Sequence, residues 1–145
     1  MTNATEQQLQ TFFSTYARAT DDGDFDRIAA SYASTYLESS PSSVVALTID
    51  DVYRVGLRDQ TAAMHELGLT TSEATVTRVE DLAPGHVSVR VSWALTFDRS
   101  PPVTSRFEIT YVVRMVDGPR ILMYVSHEDE AAVLHRDGIL PTDPA

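Results

Sequence analysis

Ser126-His127-Glu128-Asp129-Glu130 is the most chemically suggestive stretch of this chain, because it sets an imidazole beside a hydroxyl and three carboxylates. Histidine titrates near neutrality, so His127 with Asp129 could move protons in general acid–base catalysis. The same residues have a structural reading. Ser126-x-x-Asp129 has the spacing of a capping box, followed by acidic residues in the first turn of a helix that runs to Arg136 and stops at Gly138. We expect that cap. His127 continues the alternation of Ile121, Met123 and Val125, which would aim it at the mouth of a cavity, free of metal. His65 is a second candidate base, near the end of a predicted helix beside Met64, where a partly exposed histidine is the commoner case.

Aromatic residues supply the remaining candidates. Tyr16 and Tyr32 fall on the apolar stripes of two predicted helices, and a buried tyrosine hydroxyl needs a partner or can polarise a ligand carbonyl. Trp93, Phe97, Phe107 and Tyr111 share one parity on two predicted strands. They could wall a pocket or simply fill a core. Metal chemistry has little support. Asp21-Asp22-Gly23-Asp24-x-Asp26 imitates a calcium loop without its twelve-residue frame, and His127 and His135 match no zinc spacing. There is no cysteine, glycine-rich phosphate loop or nucleophile elbow, so neither metal nor cofactor is expected.

These residues need elements to hold them. Leu9, Phe12, Phe13, Tyr16 and Ala17 recur at helical spacing over residues 6–19, and Gly23 suits a left-handed stop. Asp24 can cap a second helix with the stripe Phe25, Ile28, Ala29 and Tyr32. Ser39 to Ser43 is turn chemistry, and Val44 to Ile49 has β character. Asp50 can cap a third helix ending near Leu67, with Gly68 as its stop, although Val52, Tyr53 and Val55 pull toward strand. The period then becomes two. Strands are predicted over 73–82, 86–97, 105–116 and 120–126, separated by Pro84-Gly85, Pro101-Pro102 and Asp117-Gly118. Parity puts Val87 to Phe97 and Phe107 to Met115 on the covered face, with Arg90 and Arg114 on the other. Helices followed by a meander make an α+β layout, which can close into a cone around a cavity.

Length and composition agree with one domain over 1–145, ordered from about 6 to 140. The chain has 145 residues, 43% of them apolar, and a formal net charge of -10. Its eleven basic residues are all arginine and are spread along the chain, so no basic footprint exists for nucleic acid or anionic lipid. The start lacks the basic and apolar regions of a secretory signal, and a cytoplasmic location is expected.

The pattern resembles the NTF2-like (SnoaL-like) superfamily. The carrying residues are Phe12-Phe13-x-x-Tyr16-Ala17, Asp22-Gly23-Asp24-Phe25, Ala29-x-x-Tyr32, Gly68, Trp93-x-Leu95-x-Phe97, Thr110 to Arg114, Asp117-Gly118, and Ile121 to Val125 before His127. The likeness spans roughly residues 6 to 140 and is greatest to small bacterial members without an assigned activity. It implies three N-terminal helices packed on a curled antiparallel sheet, with a short C-terminal helix. It also implies a pocket, for which Tyr16, Tyr32, Trp93, Phe97, Phe107 and Tyr111 are the candidate ligand-binding residues. The superfamily contains isomerases, dehydratases, hydrolases and cyclases beside members that only bind. Two functions therefore stand: a non-catalytic binding or assembly module for a small apolar ligand, and a cofactor-independent lyase, isomerase or hydrolase working by proton transfer. A carboxylate or histidine of shifted pKa inside the cone would favour the enzyme. A homodimer through the outer sheet face is expected, partly by resemblance and partly because Ser88, Ser92, Ala94, Thr110 and Val112 leave that face sparsely charged.

Overall fold

A computed structural model describes residues 4–141. The first helix, α1 (Ala4–Asp22), buries Leu9, Phe13 and Ala17, the stripe expected from its spacing. Gly23 takes φ 68° after it, a conformation that a Cβ would strain. Asp24 then starts α2 (Phe25–Ala30) by accepting the Arg27 N–H at 3.2 Å. The helix was expected to reach Tyr32. It ends at Ala30 instead, and Tyr32 opens a strand, β1 (Tyr32–Ser39), where none was predicted. Tyr32 lies four residues after Ile28, so it fits a helical stripe by spacing alone. The threonine and tyrosine that follow, Thr35 and Tyr36, suit a pleated, half-buried surface better.

A serine turn leads into β2 (Val44–Thr48), antiparallel to β1. Asp50 caps α3 (Asp51–Glu66) by accepting the Tyr53 N–H at 2.9 Å, so the β-branched residues do not divert this segment into strand. Arg54 on its first turns pairs with Asp26. At its far end the Arg99 guanidinium donates to the Leu67 carbonyl at 2.6 Å. Gly68 has φ 100°, and a Cβ there would lie 2.7 Å from that guanidinium and 3.3 Å from the Asp98 carbonyl oxygen. The helix therefore stops at a glycine for both conformational and steric reasons.

The remaining strands are β3 (Leu69–Ala83), β4 (His86–Phe97), β5 (Val103–Met115) and β6 (Pro119–Ser126), followed by α4 (Glu130–Arg136). Sheet order is β2-β1-β6-β5-β4-β3. Four neighbouring pairs are antiparallel, but β1 runs parallel to β6, so the curled sheet is mixed rather than wholly antiparallel. Strands β4 and β5 keep unbroken register from His86 opposite Arg114 to Phe97 opposite Val103. Every second residue of β4 is buried, from Val87 to Phe97, and Arg90 and Arg114 lie on the opposite face, as parity requires. The α+β architecture is the expected cone, with helices over the concave face and a short C-terminal helix.

The free edge of β3 is satisfied by side chains of α1. The Gln10 amide donates to the Ala74 carbonyl at 2.9 Å and accepts the Val76 N–H at 2.8 Å. Asp21 accepts the Ser72 N–H at 2.9 Å. These bonds replace a missing neighbour strand along part of the edge and fix α1 across the sheet.

Two expectations about the C-terminal segment fail. In β6, Ile121 pairs with Val113 and Met123 with Val112, which leaves Leu122 as a bulge. The extra residue reverses parity: Tyr124 and Ser126 turn inward, while Val125 and His127 turn outward. His127 therefore sits on the outer face, not at the cone mouth. The capping box is also absent. Asp129 occupies the N-cap position but makes no side-chain cap bond, and the Ser126 hydroxyl donates to the Glu128 carbonyl at 2.6 Å. The Asp129 carboxylate instead accepts from the Ser42 hydroxyl at 2.8 Å and the Ser42 N–H at 3.3 Å, tying the β1–β2 turn to the start of α4.

Candidate functional site

The cone encloses a cavity of about 670 Å³. Strands β4 and β5 supply a wall of Trp93, Leu95, Phe107, Ile109 and Tyr111. Helix α3 lies over the opening, which explains why none of its residues is fully buried although Tyr53, Leu57 and Met64 pack against the core. Strand β1 contributes Tyr32, Tyr36 and Glu38; β6 contributes Tyr124; α4 contributes Glu130. Apolar faces with a few convergent polar groups are what a small-molecule site requires.

The hydroxyls are organised rather than scattered. Tyr16 and Tyr32 share a hydrogen bond of 2.7 Å, and Tyr36 donates to Tyr53 at 3.2 Å. The Trp93 indole donates to the Tyr111 hydroxyl at 3.0 Å, which leaves the proton of Tyr111 without an acceptor among the described residues. The rings of Tyr32 and Tyr36 stack with centroids 4.1 Å apart, and Phe13 backs Tyr111 at 4.6 Å. Burial pushes the Tyr111 pKa well above its ordinary value, so this phenol stays protonated and able to donate.

Two carboxyls complete the site. Glu38 accepts a short hydrogen bond from Tyr124. Burial raises its pKa, against the lowering effect of the hydrogen bond from Tyr124. Glu130 is half-buried because the cavity itself admits solvent. Withdrawal from water nevertheless raises its pKa, and the nearby Glu38 charge raises it further. Its side chain makes no hydrogen bond or ion pair among the described residues. No arginine or histidine lines the cavity among those residues.

Of the residues singled out from sequence, Tyr16, Tyr32, Trp93, Phe107 and Tyr111 line this cavity. Phe97 does not; it is fully buried in the core beside it. His65 is exposed on α3. His127 lies across the sheet, where its Nε2 meets the Thr110 hydroxyl at 2.7 Å and its Nδ1 meets Arg90 at 3.3 Å. If Arg90 donates, Nδ1 is the acceptor and Nε2 carries the proton to Thr110, the neutral tautomer. Asp129 is half-exposed outside the cavity, and hydrogen bonds from the Ser42 and then the Ser40 hydroxyls lower its pKa. Sequence reading missed Glu38, Glu130, Tyr36, Tyr53 and Tyr124. Glu38 shares parity with Tyr32 and Tyr36, a signal visible once 32–39 is taken as strand. Glu130 was hidden among acids assigned to a cap. Among the described residues no group of acidic or histidine side chains could hold a metal ion, and no helix is long and apolar enough to cross a membrane.

A cone of this topology around an aromatic cavity defines a class of proteins, and sequence comparison agrees. A family model described as NTF2-like protein (DUF6841) matches residues 3–129, and the chain belongs to this family. Solved structures share the fold at low identity. One is an NTF-2 like protein of unknown function from Shewanella oneidensis MR-1 (17% identity, 84% of this chain and 98% of that one, TM-score 0.67). Another is Aln2 from a Streptomyces species (18% identity, 94% and 99%, TM-score 0.69). A third is a ketosteroid isomerase-like protein from Erwinia carotovora atroseptica (12% identity, 89% and 99%, TM-score 0.61). No curated protein matches the chain.

Proposed function

We propose that the cone binds a small, largely apolar molecule and moves a proton on it without a cofactor, as a lyase, isomerase or hydrolase would. The observation that carries this reading is Glu38, a carboxyl of raised pKa inside an aromatic cavity that also holds the free hydroxyl proton of Tyr111. A base works best when its pKa approaches the working pH, and burial moves Glu38 in that direction. The ionised Glu38 takes a proton from the carbon beside a substrate carbonyl. The electrons of that C–H bond pass into a new C=C bond, and the charge reaching the oxygen is held by the Tyr111 O–H. Trp93 positions Tyr111 through its indole N–H. Reprotonation at the same or another carbon completes exchange or isomerisation.

Phenylacetone in D2O tests this reading. NMR should show loss of the proton signals beside the carbonyl faster with protein than without, and Glu38→Gln should slow the protein-dependent part by about tenfold or more. Tyr111→Phe should slow it by a smaller factor. Quenching of Trp93, the only tryptophan, without any acceleration of exchange would leave the cone as a binding module and end the catalytic reading.

The assembly expectation stands beside it: a homodimer through the outer sheet face. Arg90 and Glu108 pair diagonally there at 3.1 Å, which neutralises two of that face's charges locally. Sedimentation at several concentrations decides it, and a monomer mass at every concentration would refute it.

A further inference from the structure

The charged side chains that line the cavity are all acidic among the described residues. Glu38, Asp50 and Glu130 line it, and no arginine or histidine does among the described residues. Asp50 is occupied by the Tyr53 N–H, and Glu38 by Tyr124. Glu130 is occupied by nothing: its carboxyl faces the cavity without a hydrogen bond or ion pair among the described residues. On the roof helix α3, Arg54 is engaged by Asp26. Six tyrosines and Trp93 also line the cavity, among aliphatic residues, and their ring faces are electron-rich and attract cations.

Each ligand class meets this wall differently. An anion would face like charges on the wall. A neutral apolar molecule would displace water and leave Glu130 with no partner, which is costly for a buried charge. A cation would satisfy the carboxyl and gain from the rings.

We infer that the occupant of the cone is an organic cation, a protonated amine or quaternary ammonium on an apolar body, with its charge beside Glu130 and its body against the tyrosine and tryptophan walls. This rests on the reading of the cone as a small-molecule site and names the class of molecule.

Three probes of one frame test it: 3-phenylpropylamine, 3-phenylpropanol and 3-phenylpropionate, titrated against Trp93 emission of the full chain in sodium phosphate near neutral pH with sodium chloride. The amine should saturate the signal at least tenfold more tightly than the alcohol, and the carboxylate should produce no saturable change. Glu130→Gln should weaken the amine at least fivefold and leave the alcohol within twofold. Should that variant fail to fold, the wild-type ratio of amine to alcohol still decides. An alcohol that binds as tightly as the amine, or a carboxylate that competes with it, would overturn the cation and leave the apolar cone standing. Silence from all three overturns the inference as well, and the deuterium exchange experiment then judges the proton-transfer reading by itself.

Discussion

The two halves of the cone are built by different rules. Strands β3 to β5 pair in long antiparallel ladders; β3 shifts register against β4 at three places, whereas β4 and β5 hold one register and alternate inward and outward residues throughout. The half made by β1, β6 and α4 is irregular. It contains the parallel pair, a register shift in β1, the bulge at Leu122 and a seven-residue helix. Regular pairing supplies the aromatic wall of Trp93, Phe107 and Tyr111. The irregular half supplies Tyr124 and the two cavity carboxyls of raised pKa, Glu38 and Glu130. A bulge re-aims side chains that strict alternation would send outward, and here it turns Tyr124 into the cavity and His127 out of it.

The largest effect should come from the regular half. Phe13 is fully buried against Tyr111, so Phe13→Ala should lower unfolding free energy by about 3–5 kcal/mol in urea titration. A loss below about 1 kcal/mol would mean that this half does not carry the packing.

The edge of the same half offers the next test. Gln10→Ala leaves the Ala74 carbonyl and Val76 N–H without their partner and should cost about 1–3 kcal/mol. Hydrogen exchange at Val76 should accelerate more than at central residues of β4. Equal acceleration everywhere would show that the amide does not protect the edge locally.

In the irregular half, removing a charge should help. The pKa of Glu38 is raised, so between its unfolded value of about 4.3 and its folded value the native state binds the extra proton. Stability therefore falls as pH rises through the folded pKa. Glu38→Gln abolishes that group's share of the fall, and thermal unfolding across the acid-to-neutral range should decline less steeply than in the unaltered protein. Parallel profiles would show that Glu38 is not the group responsible.

The smallest effect belongs to His127. It lies behind the sheet, so His127→Ala should change stability by about 0.5 kcal/mol or less and leave Trp93 emission and amine binding unaltered. A change in either would return His127 to the site.

Sequence alone determined what depends on local spacing and turn chemistry. The stripe of α1, the caps at Asp24 and Asp50, the stop at Gly68, the Asp117-Gly118 hairpin and the inward parity of Trp93, Phe107 and Tyr111 were all legible, because each is decided within a few residues or by strict alternation. The candidate site was legible only along that regular wall. Tyr32 fits both a helical stripe and a strand, and only pairing of β1 with β2 and β6 settles which. The unpaired Leu122 leaves no mark in composition, yet it reverses every side chain after it, so the facing of Tyr124 and His127 was a tertiary outcome. Ser126 and Asp129 have capping spacing, but the Ser42 turn, distant in sequence, competes for the Asp129 carboxylate and takes it. Glu38 and Glu130 come from opposite ends of the chain. Their shared cavity and mutual repulsion arise only when the sheet curls and brings β1 beside β6 and α4.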